Sequence, residues 1–192
     1  MEPTRTQPGP TVTSERYAEA SIPLAALLDA VPADRWGRPS PCEEWVAGDV
    51  VRHLIETQRD FLTARGFDAG PPVDVDADPA AAWRVHSAAV ADLLVRPEVT
   101  AASYDGYFGP ATVADTISRF YVPDMVVHRW DVATAVGGDT RMGDDELDRL
   151  EANVDSWGDA LYVDGICKPG VVAPGGSSRQ VVLLARMGRQ AW

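Results

Sequence analysis

Asp124 and His128 lie four residues apart in a stretch with helical periodicity, so their side chains project from one helix face about one turn apart. A carboxylate and a neutral imidazole suit zinc or another first-row divalent ion. A third ligand from a facing helix would leave a coordination position open for water or substrate. Asp131 follows three residues after His128, where it could orient a ring nitrogen or pair with Arg129 or Arg52.

Spacing alone does not identify the third ligand. His53 and His86 each lie on the apolar stripe of a separate predicted helix, and the pattern ranks them about equally. A histidine on a core-facing stripe is more often a hydrogen-bonded core residue than a ligand. Acid-x-x-x-His pairs are also common in helices as solvated pairs or caps. At this point a metal site and a purely structural role both remain open, and so does the choice between His53 and His86.

The helices that must position these residues are predicted from apolar residues at three- and four-residue spacing. They cover about residues 13–31, 47–64, 79–94, 112–136 and 144–161, with a short helix over 178–188. An extended piece is expected over about 103–108. We expect core or interhelix packing for all six tryptophans, which are Trp36, Trp45, Trp83, Trp130, Trp157 and Trp192.

Several helix boundaries carry local signals. Asp78 followed by Pro79 is typical of an N-cap with proline at the first helical position. Thr112 with Asp115 resembles a capping arrangement, and Gly137 ends the pattern that begins there. Pro123 falls inside this fourth helix and predicts a kink.

Composition excludes several classes of protein. The chain has 192 residues and a net charge of −12, and its basic residues are scattered, which argues against nucleic-acid binding. No run approaches the roughly 20 apolar residues of a membrane helix, and no signal peptide is evident, so we expect a cytoplasmic protein without membrane association. Cys42 and Cys167 form no disulfide framework or CxxC pair, and inert thiols are expected. We predict a disordered tail over residues 1–12 and a single domain over residues 13–192.

Three segments resemble a known family. They are RPSPCEEWVAGDVVRHLI (38–55), FYVPDMVVHRWDVATAVGGD (120–139) and LLARMGRQAW (183–192). The resemblance is to the DinB-like superfamily, and within it to the actinobacterial metal-binding group similar to the N-terminal domain of mycothiol-dependent maleylpyruvate isomerase. It implies an all-α, DinB-like four-helix bundle with an additional helix and a short irregular C-terminal segment.

The resemblance also implies a metal site. The family's helix-two histidine and acid-x-x-x-His pair carry over onto His53, Asp124 and His128, while His86 has no family role and is read as structural. Two departures are Asp124, where the isomerase type has glutamate, and Gly48, where the family usually has a helix-favouring polar residue. Aspartate is one methylene shorter than glutamate, which would shift the metal or weaken that ligand.

The function that the resemblance implies is thiol activation at a divalent metal, which we expect to be zinc. Mycothiol is the expected thiol cosubstrate, and an electrophile is the second substrate of a transferase or isomerase-like enzyme. The isomerase type has a larger C-terminal domain than this chain, which favours the transferase. The alternative is a non-catalytic metal-binding or partner-binding bundle. The sequence identifies no general base. Glu56 and Asp131 are candidates by position, but each is more typical of a helix-surface carboxylate. The chain could form a homodimer, which the sequence does not decide.

Overall fold

The computed structural model describes residues 10–163 and 167–192. In chain order the helices are α1 (Pro10–Asp29), α2 (Ala47–Thr63), α3 (Pro79–Leu94), α4 (Pro97–Thr100), α5 (Val113–Thr116), α6 (Val122–Val136), α7 (Asp144–Trp157) and α8 (Arg179–Arg186). Strands β1 (Ser103–Gly106) and β2 (Gly109–Thr112) form an antiparallel hairpin between α4 and α5. The fold is therefore all-α apart from this hairpin, as the resemblance implies.

Helices α1, α2, α3 and α6 form the four-helix bundle. In it α1 packs against α3 and α6, and α2 packs against the same two helices. The buried face of each helix supplies apolar side chains to one core, for example Leu24, Leu54, Trp83 and Val132, none of which is exposed. Burial of such side chains is the main source of the bundle's stability, since each contributes about 1.5–3 kcal/mol. Helix α7 is the additional helix, and it packs against α6 and α8.

The predicted caps form as expected. The Asp78 side chain accepts a hydrogen bond from the backbone N–H of Ala81 at 2.9 Å, and Pro79 begins α3. Thr112 and Asp115 form a reciprocal capping box at the start of α5. Gly137 ends α6 with a φ of 74°, a left-handed conformation that glycine adopts without a Cβ penalty. Local side-chain chemistry therefore determines these boundaries.

Other boundaries differ from the prediction. Helix α1 begins at Pro10, so residues 10–12 belong to it, while the rest of the predicted tail, residues 1–9, lies outside the described residues. The predicted fourth helix is divided into α5, a π-helical turn over Ile117–Tyr121, and α6. The α-helical part of the fifth helix stops at Trp157, because Gly158 has a φ of 50° and a 3₁₀ turn follows.

None of the helices in the described residues combines the length and the apolar character that a membrane span requires. Burial of the tryptophans also varies. Trp83 is fully buried and Trp130 is 5% exposed, as predicted, but Trp192 is 55% exposed, so its predicted packing role is wrong. Trp45 and Trp157 are only partly buried, and both line a cavity.

Candidate metal centre

Helices α2 and α6 bring His53, Asp124 and His128 together, and we call these three residues the triad. The Nε2 atom of His128 lies 3.2 Å from one carboxylate oxygen of Asp124, and the Nε2 atom of His53 lies 3.6 Å from the other. One ligand atom from each residue lies within 4.8 Å of the other two. Ligands about 2.1 Å from a tetrahedral zinc ion are separated by roughly 3.4 Å. The donor set therefore has the chemistry and the approximate spacing of a zinc site.

The packing of α2 against α6 explains why these side chains meet. Val50 and Leu54 of α2 are fully buried, which leaves His53 at the edge of the apolar stripe with 30% of its side chain exposed. Near the start of α6, the Tyr121 hydroxyl donates a hydrogen bond to the backbone carbonyl of Thr57 at 3.1 Å. This bond joins the two helices about one turn after His53 on α2 and about one turn before Asp124 on α6.

A second contact fixes the orientation of the His128 ring. Its Nδ1 atom lies 2.9 Å from an oxygen of Asp131, which has no exposed surface. If Nδ1 carries the proton and donates it to this carboxylate, Nε2 is left to face Asp124 and His53. Ligating histidines usually have such a carboxylate partner, which sets the tautomer and raises the basicity of the ligand. Asp131 thus lies where it can orient a ring nitrogen of His128, which is one of the two roles considered from the sequence.

The ion-pair partner of Asp131 is Arg189, not Arg129 or Arg52. The Arg189 Nη2 donates to the Asp131 carboxylate at 2.8 Å and its Nε donates at 3.3 Å. Burial alone would raise the pKa of Asp131, but His128 and Arg189 together lower it to about 2. The carboxylate therefore stays ionised at neutral pH despite its burial.

The two predicted partners of Asp131 are engaged elsewhere. Arg129 is 8% exposed and donates to both oxygens of Glu146, at 2.7 and 2.8 Å. Arg52 pairs with Asp76 at 2.5 Å near the protein surface. Neither arginine lines the cavity at the triad, so neither contributes to this site.

The protonation of the triad itself follows from its charges. Burial alone would raise the pKa of Asp124, but the charge and hydrogen bonds of His128 and His53 hold it far below its usual range. Burial alone would lower the pKa of His128, but the charge of Asp124 and hydrogen bonds to Asp124, Asp131 and Cys42 raise it well above its usual range. Without a metal ion, a protonated His128 therefore supplies the positive charge between the two carboxylates.

Cys42 is a neighbour of the site that the sequence interpretation missed. Its thiol donates to Asp131 at 3.4 Å, and its Sγ lies 3.9 Å from both His128 Nδ1 and Arg189 Nη2. Cys42, His128 and Asp131 form a second group with ligand atoms within 4.8 Å of one another. Because Arg189 already neutralises Asp131, this second group is less suited to a cation than the triad. The only sequence signal for Cys42 was its place in the first of the three segments that resemble the family, in the turn Pro41-Cys42-Glu43-Glu44-Trp45.

The same turn brings an aromatic ring to the two histidines. Trp45 has its ring centroid 4.9 Å from that of His53 and 6.2 Å from that of His128. The rings of His53 and His128 are themselves 5.0 Å apart. Trp45 thus packs close to the imidazole rings of the triad.

The triad lines an open cavity of about 1180 Å³. Its walls come from the Cys42 turn, α2, the β1–β2 hairpin, the π-helical turn, the start of α6, the end of α7 and the segment around Arg189. The cavity leaves space for a small molecule to approach the triad. Glu56 is exposed and is absent from these walls, which removes one of the two carboxylates considered as a base.

His86 lies apart from the triad. It is fully buried, and its Nε2 lies 3.3 Å from the Gln58 side-chain oxygen, which also accepts a hydrogen bond from Tyr17. Burial, aided by the charge of Arg59, lowers the pKa of His86 to about 4. His86 is therefore a neutral, hydrogen-bonded core residue, in agreement with the structural role that the resemblance implies.

Comparisons with known proteins find a family and relatives that match more than half of the chain. Residues 17–133 match the family described as the mycothiol maleylpyruvate isomerase N-terminal domain. The chain is 30% identical over 148 residues to the uncharacterized protein Rv0738 of Mycobacterium tuberculosis, covering 74% of this chain and 76% of the relative. It is 34% identical over 150 residues to the uncharacterized protein Rv0036c of the same species, covering 68% of this chain and 58% of the relative. No solved structure shows significant similarity.

Proposed function

The chain belongs to the family of the mycothiol maleylpyruvate isomerase N-terminal domain, and on that premise we propose that it binds a divalent metal and activates a thiol there. Mycothiol, which the family's description names, is the thiol that we propose. The reaction would be attack of the thiol sulfur on an electrophile, as in a thiol transferase or an isomerase-like enzyme. The family predicted from the three sequence segments is confirmed; the metal, the thiol and the reaction are our proposal.

The observation that carries this proposal is the convergence of the triad beside an open cavity. His53, Asp124 and His128 would hold the ion, with two nitrogen ligands and one oxygen ligand, a set that favours zinc. When bound, such an ion would favour the deprotonated form of a thiol that enters the remaining coordination position. A deprotonated thiol is the nucleophilic form.

Residues around the triad would prepare it for this role. Asp131 orients His128, and Arg189 keeps Asp131 ionised by pairing with it. Trp45 packs its indole close to both imidazoles. Neither Asp131 nor Glu56 is placed as a general base, because Asp131 is already engaged and Glu56 does not line the cavity. The thiol proton would therefore leave through the open cavity to solvent.

The charge of the cavity is compatible with a polar thiol cofactor. Its lining contains four basic side chains, Arg65, Arg119, Lys168 and Arg189. It contains four acidic side chains, Glu43, Asp105, Asp115 and Asp124. The whole chain has a net charge of −12, so the cavity lacks the acidic excess of the molecule. An anionic group such as a thiolate would meet less repulsion there than elsewhere on the surface.

Metal content of the purified protein and three variants tests the metal site. We expect about one zinc per chain in the wild type and in His86→Gln, and loss of metal in His53→Ala and His128→Ala. His86→Gln is the matched control because it changes a histidine that lies outside the triad. Retention of metal by both triad variants would show that the ion is bound elsewhere in the protein.

Activity then separates the enzyme from a non-catalytic metal-binding bundle. Conjugation of mycothiol to 1-chloro-2,4-dinitrobenzene, followed by absorbance, should require both the metal and His128. Tight metal binding without thiol-dependent turnover of this or any other electrophile would instead support the non-catalytic alternative.

A further inference from the structure

Three aromatic rings form a separate part of the cavity lining, and we call Phe108, Phe120 and Trp157 the aromatic wall. The Phe120 and Trp157 ring centroids are 4.3 Å apart with an interplanar angle of 65°, and those of Phe108 and Trp157 are 5.0 Å apart at 67°. Phe108 and Phe120 are nearly parallel, at 20° and 6.4 Å. These are the edge-to-face and offset geometries that aromatic rings prefer.

The wall lines the cavity, although Trp157 also packs against the core. Phe108 is 48% exposed, and Phe120 and Trp157 are only partly buried, whereas the core residue Trp83 has no exposed surface. Three large apolar side chains from the hairpin, the π-helical turn and the end of α7 thus keep part of their surface in contact with the cavity. Contiguous exposed apolar surface inside a cavity is characteristic of a ligand-binding site.

The wall adjoins the triad through the chain itself. Phe120 precedes Asp124 by four residues, and the π-helical turn that holds Phe120 continues directly into α6. Four residues of helix advance by about 6 Å. A molecule that packs against the wall would therefore lie within reach of a group bound at the triad.

The cavity is also large enough for a second ligand. Its volume of about 1180 Å³ exceeds the roughly 300–1,000 Å³ that is usual for a pocket that holds one drug-sized molecule. On one side of Trp157, the Arg119 guanidinium carbon lies 4.9 Å from the ring centroid. This contact holds the indole in place and favours a rigid packing surface.

We propose that the aromatic wall binds a planar aromatic group of the second substrate, and that it selects flat electrophiles over saturated ones of equal size. The role of the bound molecule as an electrophile rests on the function proposed above. The binding itself does not, because it depends on ring packing and needs neither metal nor thiol. The two proposals can therefore fail separately.

The test compares 2-naphthol with its saturated analogue decahydro-2-naphthol by calorimetric titration. Ring-on-ring packing should make the wild type bind 2-naphthol about two- to tenfold more tightly than the analogue. Trp157→Leu should lose this preference, and so should Phe108→Leu, whose position at the exposed hairpin tip avoids any effect on the core. Trp192→Leu is the matched control, since Trp192 is exposed and is absent from the cavity lining.

Equal binding of the two compounds by the wild type would overturn the proposal, and so would an unchanged preference in both wall variants. The same titrations on His53→Ala separate the two proposals. An intact preference for 2-naphthol in that variant supports the aromatic wall, whatever the metal analysis shows. Loss of the preference there would mean that the wall depends on the triad, which also contradicts the proposal.

Discussion

Replacing Asp131 by asparagine removes the charge that orients His128 and neutralises Arg189. The carboxylate lies 2.9 Å from His128 Nδ1 and 2.8 Å from Arg189 Nη2. Both contacts fall on one carboxylate oxygen, which the amide oxygen of asparagine could replace, but the NH₂ group would then face Arg189 Nε, which donates to the other oxygen at 3.3 Å. The negative charge is lost in either orientation of the amide. Loss of such a carboxylate partner typically costs 10–100-fold in metal affinity. We expect zinc affinity to fall by about that factor, or about 1.4–2.7 kcal/mol.

The same substitution should destabilise the metal-free protein. Asp131 has no exposed surface and the Arg189 side chain is 15% exposed, so the variant leaves a largely buried guanidinium without its counter-ion. Removing one partner of a buried ion pair costs roughly 3–5 kcal/mol. We expect a loss of about 3 kcal/mol, the lower end, because the asparagine oxygen and the Met187 carbonyl still accept hydrogen bonds from Arg189.

Competition with a zinc-binding chromophore measures the affinity, and urea unfolding in the presence of a chelator measures the stability. Asp139→Asn is the matched control, because Asp139 pairs with Arg141 on the surface and its substitution makes the same charge change away from the site. Unchanged zinc affinity in a folded Asp131→Asn protein would refute the role of Asp131 in orienting a ligand.

Two further predictions concern pH. The charge of Asp124 holds the pKa of His128 well above its usual range, so a proton must leave His128 before its Nε2 can bind zinc. Apparent zinc affinity should therefore rise with pH through the neutral range, by up to about tenfold per pH unit, in calorimetric titrations, and a flat profile would count against His128 as a ligand. Burial lowers the pKa of His86 to about 4, so below pH 6.5 the unfolded state binds more protons than the folded state, and the free energy of unfolding should fall as the pH is lowered towards 4. In urea unfolding, His86→Gln should reduce the loss of stability between pH 7 and pH 4.5 by roughly 2–3 kcal/mol. An equal loss in the wild type and the variant would contradict a neutral buried His86.

Local sequence signals were enough for much of the fold. The Asp78–Pro79 start and the Gly137 end depend on side-chain and backbone preferences that act within a few residues. The spacing of Asp124 and His128 likewise predicted that they share a helix face, and the structure has Asp124 contacting His128 at 3.2 Å. Such features follow from helix geometry alone.

The choice between His53 and His86 needed tertiary information. Both lie on apolar stripes, and only the packing of α2 against α6 turns His53 towards Asp124 while His86 meets Gln58 in the core. Periodicity describes one helix at a time and does not specify which helices are neighbours. The resemblance to a family supplied the choice that spacing did not.

The missed features depend on still longer separations. Cys42 and Arg189 meet at the site although they are 147 positions apart, and no local pattern connects them. The division of the fourth helix by a π-helical turn was also missed, because apolar periodicity does not distinguish an α-helix from one with a single wider turn.

The ion pair between Asp131 and Arg189 has a consequence for the order of assembly in the cell. The ribosome completes the helices that hold His53, Asp124, His128 and Asp131 well before it reaches residue 189, at about 5–20 residues per second. Until Arg189 emerges, closing α6 over Asp131 would leave the single charge of a protonated His128 to balance two carboxylates, Asp124 and Asp131. The nascent chain should therefore finish this site last, and any ion should enter after translation has passed Arg189.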